Sequence, residues 1–112
     1  MAGQPPPSFS DDEVVKALRA AGAKGLMVHP RAQSVLNALQ QYDISDVSEW
    51  VAECVASELH KHELDYDYPA RQDYIAVLNI HLPGEPLAFY VKIALQLPHL
   101  APGKLISLRL WT

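Results

Sequence analysis

From Phe89 to Leu97 the chain alternates: Phe89, Val91, Ile93, Leu95 and Leu97 fall on one side, Tyr90, Lys92 and Gln96 on the other. A period of two separates apolar from polar residues only in an extended strand with one buried face. Residues 104–111 repeat the pattern, with Ile106, Leu108 and Leu110 opposite Ser107, Arg109 and Trp111. Residues 74–81 are rich in β-formers, and Pro83-Gly84-Glu85-Pro86 reads as a turn between strands. His99 to Gly103, with two prolines, is a second loop. Three consecutive strands with short connections predict an antiparallel meander.

The first sixty residues carry a different period. Ser10-Asp11-Asp12-Glu13 is a capping box, followed by Val14, Leu18 and Ala21 at helical spacing, with Gly22 as the expected terminator. His29-Pro30 opens a second helix with Val35, Leu36, Leu39 and Tyr42 along one stripe. Asp43 to Ser45 form a turn and cap. A third helix then carries Val47, Trp50, Val51, Cys54, Val55 and Leu59 on one face. Helices first and strands afterwards spell α+β: amino-terminal helices packed on one face of a small antiparallel sheet. Residues 1–9, with Pro5-Pro6-Pro7, read as a flexible tail, and 10–112 as one domain.

A chain of 112 residues holds one core and not two. No run reaches the roughly 18 to 20 apolar residues of a membrane span, and the amino terminus lacks the pattern of a secretory signal. The single cysteine, Cys54, excludes an intrachain disulfide and fits a reducing cytoplasmic compartment. The net charge of −4 argues against general nucleic-acid binding, including DNA. The charge is uneven, however. Residues 1–73 hold twelve Asp/Glu against six Lys/Arg, and residues 74–112 hold Glu85 against Lys92, Lys104 and Arg109. An anionic ligand is expected at the carboxy-terminal third.

Three constellations carry possible chemistry. Tyr90 and Lys92 on one strand and Arg109 on the next suit a phosphate, if strand register brings them to one side; cations also simply solvate exposed sheet faces. His60-Lys61-His62 is expected at the end of the third helix, where imidazoles titrate near neutrality and suit acid–base work, or merely form a polar helix end. Reading His60, His62, Glu58, Glu63 and Asp65 as metal ligands is weak, because residues one apart on a helix diverge. Asp65 to Asp73 alternates acids and aromatics, as a protein contact or an ordinary solvated loop does. Cys54 lies on an apolar stripe and reads as a core thiol. No metal or cofactor is expected.

Read in order, these pieces resemble the MqsR family of bacterial type II toxins, endoribonucleases (mRNA interferases) with a RelE/barnase-like fold. The resemblance rests on Glu58-Leu59-His60-Lys61, Gln72-Asp73-Tyr74, Gly84 through Tyr90-Val91-Lys92, and Leu105-Ile106-Ser107-Leu108-Arg109. It spans about residues 10–110. It implies catalytic roles for Lys61, Gln72, Tyr90 and Arg109. It also implies a cognate antitoxin as partner and single-stranded mRNA as substrate, free or on the ribosome. The chain departs from the family in having His60 where an aromatic precedes the lysine, and Arg109 where lysine is common.

Metal-free RNA cleavage needs a base for the 2′-hydroxyl, cations for the phosphorane and an acid for the 5′-oxygen. Arg109 and Lys92 are expected on the phosphate, with His62 and Lys104 as further RNA-binding groups. Lys61 or His62 would move the proton, Tyr90 would orient or donate, and Gln72 would hydrogen-bond phosphate or base. Two alternatives stand beside this reading. One is a non-catalytic protein-binding module on the same fold. The other is a different enzyme using His60 and His62 as acid and base.

Overall fold

The computed structural model describes residues 9–64, 74–96 and 103–110. Its order is α1 (Asp11–Lys24), β1 (Met27–Val28), α2 (Pro30–Leu39), α3 (Ile44–Ala52), a 3₁₀ turn (Ala56–Glu58), β2 (Leu59–Leu64), β3 (Tyr74–Ile80), β4 (Phe89–Leu95) and β5 (Lys104–Leu110). The fold is α+β, with the helices packed on one face of a five-stranded sheet. The expected tail at residues 1–8 and most of the 99–103 loop lie outside the described residues. Phe9, assigned to the tail from sequence, packs edge-on against Tyr74 with centroids 5.1 Å apart.

The helix starts follow local chemistry. The Glu13 N–H donates to Ser10 Oγ at 3.2 Å, and the Ser10 N–H donates to Glu13 Oε1 at 3.2 Å. His29 caps α2, its Nδ1 accepting from the Arg31 N–H at 3.1 Å, with Pro30 in the first turn. Asp43 caps α3, accepting from the N–H groups of Ser45 and Asp46 at 2.9 and 3.1 Å.

Gly22 does not end α1. The helix runs to Lys24 and stops at Gly25, whose φ of +93° is a conformation that side chains disfavour. Gly22 serves packing instead. A Cβ there would sit 2.3 Å from the Ala52 nitrogen and 2.5 Å from the Ser48 carbonyl oxygen, so only glycine lets α1 lie this close to α3.

The third helix is shorter than its apolar spacing predicts. It closes at Ala52, and a 3₁₀ turn with the Glu58 carboxylate accepting from the Val55 N–H at 3.0 Å redirects the chain. Residues 59–64 then form β2, so His60-Lys61-His62 lies on a strand and not at a helix end. Pairing with β3 decides this. In an extended chain Leu59, His62 and Leu64 reach the helix side, which a continued helix would not achieve without leaving β3 unpaired.

The sheet order is β1-β5-β4-β3-β2. The meander β3-β4-β5 is antiparallel as expected, and β2 extends it antiparallel. The sheet as a whole is mixed, because the two-residue β1 pairs parallel to β5. Leu78, Phe89, Val91, Ile93, Leu105 and Leu108 meet Val14, Leu18, Leu36, Val47 and Val51 in the main core. No helix among the described residues is long and apolar enough to cross a membrane.

Candidate nucleic-acid interface

Residues directly opposed across antiparallel strands project to the same side of a sheet, with Cβ atoms about 4.5–5.5 Å apart. The register therefore writes out the face turned away from the helices as three rows. One runs Lys61–Val77–Lys92–Ser107, a second Asn79–Tyr90–Arg109, and a third Glu63–Ile75–Ala94–Lys104. Among the described residues no helix covers this face.

At the centre lies a second, smaller apolar cluster of Ile75, Val77 and Ala94, with Tyr90 and Ile106 packed against it. Around it stand Lys61 and Arg109, both exposed, and Lys92 and Lys104, both half-buried. Among the described residues, four cations against Glu63 make this face basic in a chain whose net charge is −4. The carboxylates are concentrated elsewhere: Asp11, Asp12 and Glu13 open α1, and Asp43, Asp46, Glu49 and Glu53 lie on or beside α3. Adjacent strands are about 4.8 Å apart, so Lys61 and Lys92, two strands apart, stand about 10 Å from each other at the backbone. Lys92 and Arg109, diagonal neighbours, are about 7–8 Å apart. Long side chains at these spacings can converge on one phosphate.

The Arg109 guanidinium lies over the Tyr90 ring, Cζ 4.3 Å from the centroid. Asn79 is on the other side of Tyr90 in the same row. Its Oδ1 is buried and has no hydrogen-bond partner among the described residues.

Of the residues singled out from sequence, Lys61, Tyr90, Lys92, Lys104 and Arg109 share this face. His62 does not. It is opposite Ala76, on the helix side, where Nε2 is 2.8 Å from Asp11 Oδ1 and Nδ1 is 2.6 Å from the Tyr74 hydroxyl. Its part is to tie edge strand β2 to the start of α1, away from the cationic face. Alternation is the reason: Lys61 and Glu63 face one way, His62 the other. The same alternation keeps His62 and Glu63 from converging on one metal ion, and Asp65 lies outside the described residues. Gln72 is also outside them, as is the acidic stretch after Leu64.

A bulge shifts β5. Lys92 pairs with Ser107 but Ile93 with Leu105, which leaves Ile106 as the extra residue. The expected stripe Ile106–Leu108–Leu110 is thereby broken: Leu105 and Leu108 are in the main core, and Ile106 joins the cluster on the helix-free face. Sequence alone singles out neither Asn79 nor the place of Ile106, which it assigns to the apolar stripe. Asn79 carried a visible signal, an amide interrupting the apolar run Ile75 to Ile80.

Cys54 is fully buried and its thiol is pushed up to about 11, by desolvation first and then by the Glu58 carboxylate, with Arg19 opposing. It stays protonated at neutral pH and is no nucleophile.

No family model, curated protein or solved structure matches the chain.

Proposed function

We propose that the helix-free face is the active site of a metal-independent endoribonuclease that cuts single-stranded mRNA. We further propose that the chain is the toxin of a bacterial type II toxin–antitoxin pair, working in the cytoplasm and neutralised by a cognate antitoxin. The observation that carries this reading is the gathering of Lys61, Lys92, Lys104 and Arg109 around Tyr90 on one side of the sheet. The MqsR-like motifs contribute Lys61, Tyr90, Lys92 and Arg109 of that set.

The chemistry is a transesterification. The RNA 2′-oxygen attacks the adjacent phosphorus, the bond from phosphorus to the 5′-oxygen breaks, and the products are a 2′,3′-cyclic phosphate and a 5′-hydroxyl. One proton leaves the 2′-hydroxyl and one reaches the departing oxygen, so the reaction is balanced without a co-reactant. Arg109, with a planar fork of donors, and Lys92 hold the non-bridging oxygens as their charge grows. Lys61, in the same row as Lys92, takes part in proton transfer. Lys104 binds a neighbouring phosphate.

The test is cleavage of a labelled single-stranded RNA by the full chain in EDTA, with and without ribosomes. Arg109→Ala should slow cleavage by about 10²–10³-fold, with an unchanged circular-dichroism spectrum. Equal rates in the two proteins, or no cleavage by either, would overturn the assignment.

One observation favours a second reading, a protein-binding module without catalysis. Tyr90 and Ile106 set on an apolar cluster and ringed by cations also suit an acidic partner with an apolar anchor. Lack of cleavage together with stable capture of such a partner would select it.

A further inference from the structure

We infer that β2 is a self-pairing edge: two copies of this chain join β2 to β2 in antiparallel register about His62, each Lys61 facing Glu63 of the second copy. β2 ends the sheet, with β3 on one side and no strand on the other among the described residues. It is six residues long, whereas β1, at the opposite edge, has two. Alternate N–H and C=O groups of an edge strand point away from its sheet, where another strand can meet them.

Natural edges are often closed to such pairing by charges and bulges, and β2 carries both. His60 is the extra residue of a bulge, since Leu59 is opposite Leu78 and Lys61 opposite the very next residue of β3, Val77. Lys61 and Glu63 are exposed and project from the helix-free face. Neither side chain has an ion-pair partner among the described residues. A strand arriving beside them must answer a cation and, two residues on, a carboxylate. Most sequences and most registers fail to do so, and the edge rejects them. A second copy of β2 answers both.

Symmetry selects the register. A twofold axis perpendicular to the sheet passes beside one residue and sets it against its own copy, because opposed residues share a face. Centring on Lys61 brings two ammonium groups face to face, and centring on Glu63 brings two carboxylates. Only a centre at His62 sets Lys61 opposite Glu63, and it does so twice. At that spacing, with Cβ atoms about 4.5–5.5 Å apart, the two side chains can pair. The imidazoles lie on the helix side, each held within its own chain by Asp11 and Tyr74. Two five-stranded sheets then become one, with both helix-free faces on the same side. The row Lys61–Val77–Lys92–Ser107 of each copy is extended by Glu63 of the other. So few residues meet that the dimer is expected to be weak and concentration-dependent. Self-pairing does not depend on the ribonuclease reading, and its readout is mass and not cleavage.

The experiment is analytical ultracentrifugation of the full chain over a concentration series, at low and high salt. The wild type should move from monomer toward dimer as concentration rises, and salt should oppose this. Lys61→Glu and Glu63→Lys each set like charges opposite one another in the same register, and each should weaken self-association about tenfold or more. Both positions are exposed, so the circular-dichroism spectra should not change. Mixed in equal amounts, the two variants should dimerise with each other, because every carboxylate again meets an ammonium. The double variant Lys61→Glu/Glu63→Lys should dimerise with itself as the wild type does. Carbodiimide treatment of a mixture of isotopically labelled and unlabelled wild-type chain should join Lys61 of one copy to Glu63 of the other.

A wild type that is monomeric at every concentration would overturn the inference and leave this edge to a strand of another protein. A dimer indifferent to either charge reversal would overturn it as well, by placing the contact on another surface. So would a mixture of the single variants, or a double variant, that fails to associate where the wild type does.

Discussion

The two faces of the sheet answer to different demands. On the helix side, Leu78, Phe89, Val91, Ile93 and Leu105 are at most 2% exposed, and Phe89 meets Tyr42 and Trp50 with ring centroids 5.6 and 5.2 Å apart. Those side chains serve burial. On the other side Ile75, Val77 and Ala94 have Tyr90 and Ile106 packed against them, and a buried amide oxygen lies without a partner among the described residues. Four cations placed on one face with a single carboxylate among the described residues there repel one another more than they help folding. A fold under selection for stability alone would not arrange them so, and departures of that kind are where function is found.

The largest effect expected from this contrast is on the helix side. Phe89→Ala removes a ring from the centre of the core and should destabilise the protein by about 3–5 kcal/mol in urea unfolding. Arg109→Ala, one register step away at the same end of the sheet, should move stability by no more than about 0.5 kcal/mol. If Arg109→Ala unfolds the chain as Phe89→Ala does, the division of labour between the faces is wrong.

Asn79 tests the comparison from the opposite side. A buried carbonyl oxygen without a donor costs about 1–3 kcal/mol. Asn79→Val removes it and supplies a β-branched side chain suited to a strand beside Val77 and opposite Tyr90. The variant should therefore gain about 1 kcal/mol in urea unfolding, and should bind single-stranded RNA less well than the wild type. Gain without loss of binding would make Asn79 a mere packing defect. Loss of stability would show that the amide is satisfied in solution.

Much of this was legible before the structure. Period two in residues 87–97 marked β4 and separated Tyr90 and Lys92 from the core. The capping box at Ser10 and the turn and cap at Asp43 to Ser45 placed the starts of α1 and α3. What could not be read was set by contacts distant in sequence. Leu59 continues the apolar spacing of α3, and only the presence of β3 beside it makes residues 59–64 a strand. That change carried His62 to the helix side and Lys61 to the other. Gly22 reads as a terminator until α3 is seen to press on it. The bulge at Ile106 has no local signature, because Ile106 is as apolar as the core residues it would otherwise have joined. Register across four strands, which brings Lys61, Lys92 and Arg109 to one face, is a property of pairing and of no single segment.

The smallest expected effect concerns pH on the helix side. The helix layer rests in part on the ionised Asp43 cap of α3. Asp43 is held below the usual carboxylate value, by the Ser45 hydroxyl first and then by the backbone N–H of Asp46, against a smaller opposing effect of desolvation. Its ionised form is favoured by folding. The stability it contributes is therefore complete above the unfolded value, near 3.9, and is lost as pH falls through the lower folded value. Asp43→Ala should lower the melting temperature at pH 7, and the gap to wild type should narrow as the pH drops into that range. Asp43→Asn keeps an acceptor for the N–H groups of Ser45 and Asp46 but cannot titrate. It should melt close to wild type at pH 7 with a shallower acid limb. Identical acid limbs in the asparagine variant and the wild type would show that this cap does not sense pH.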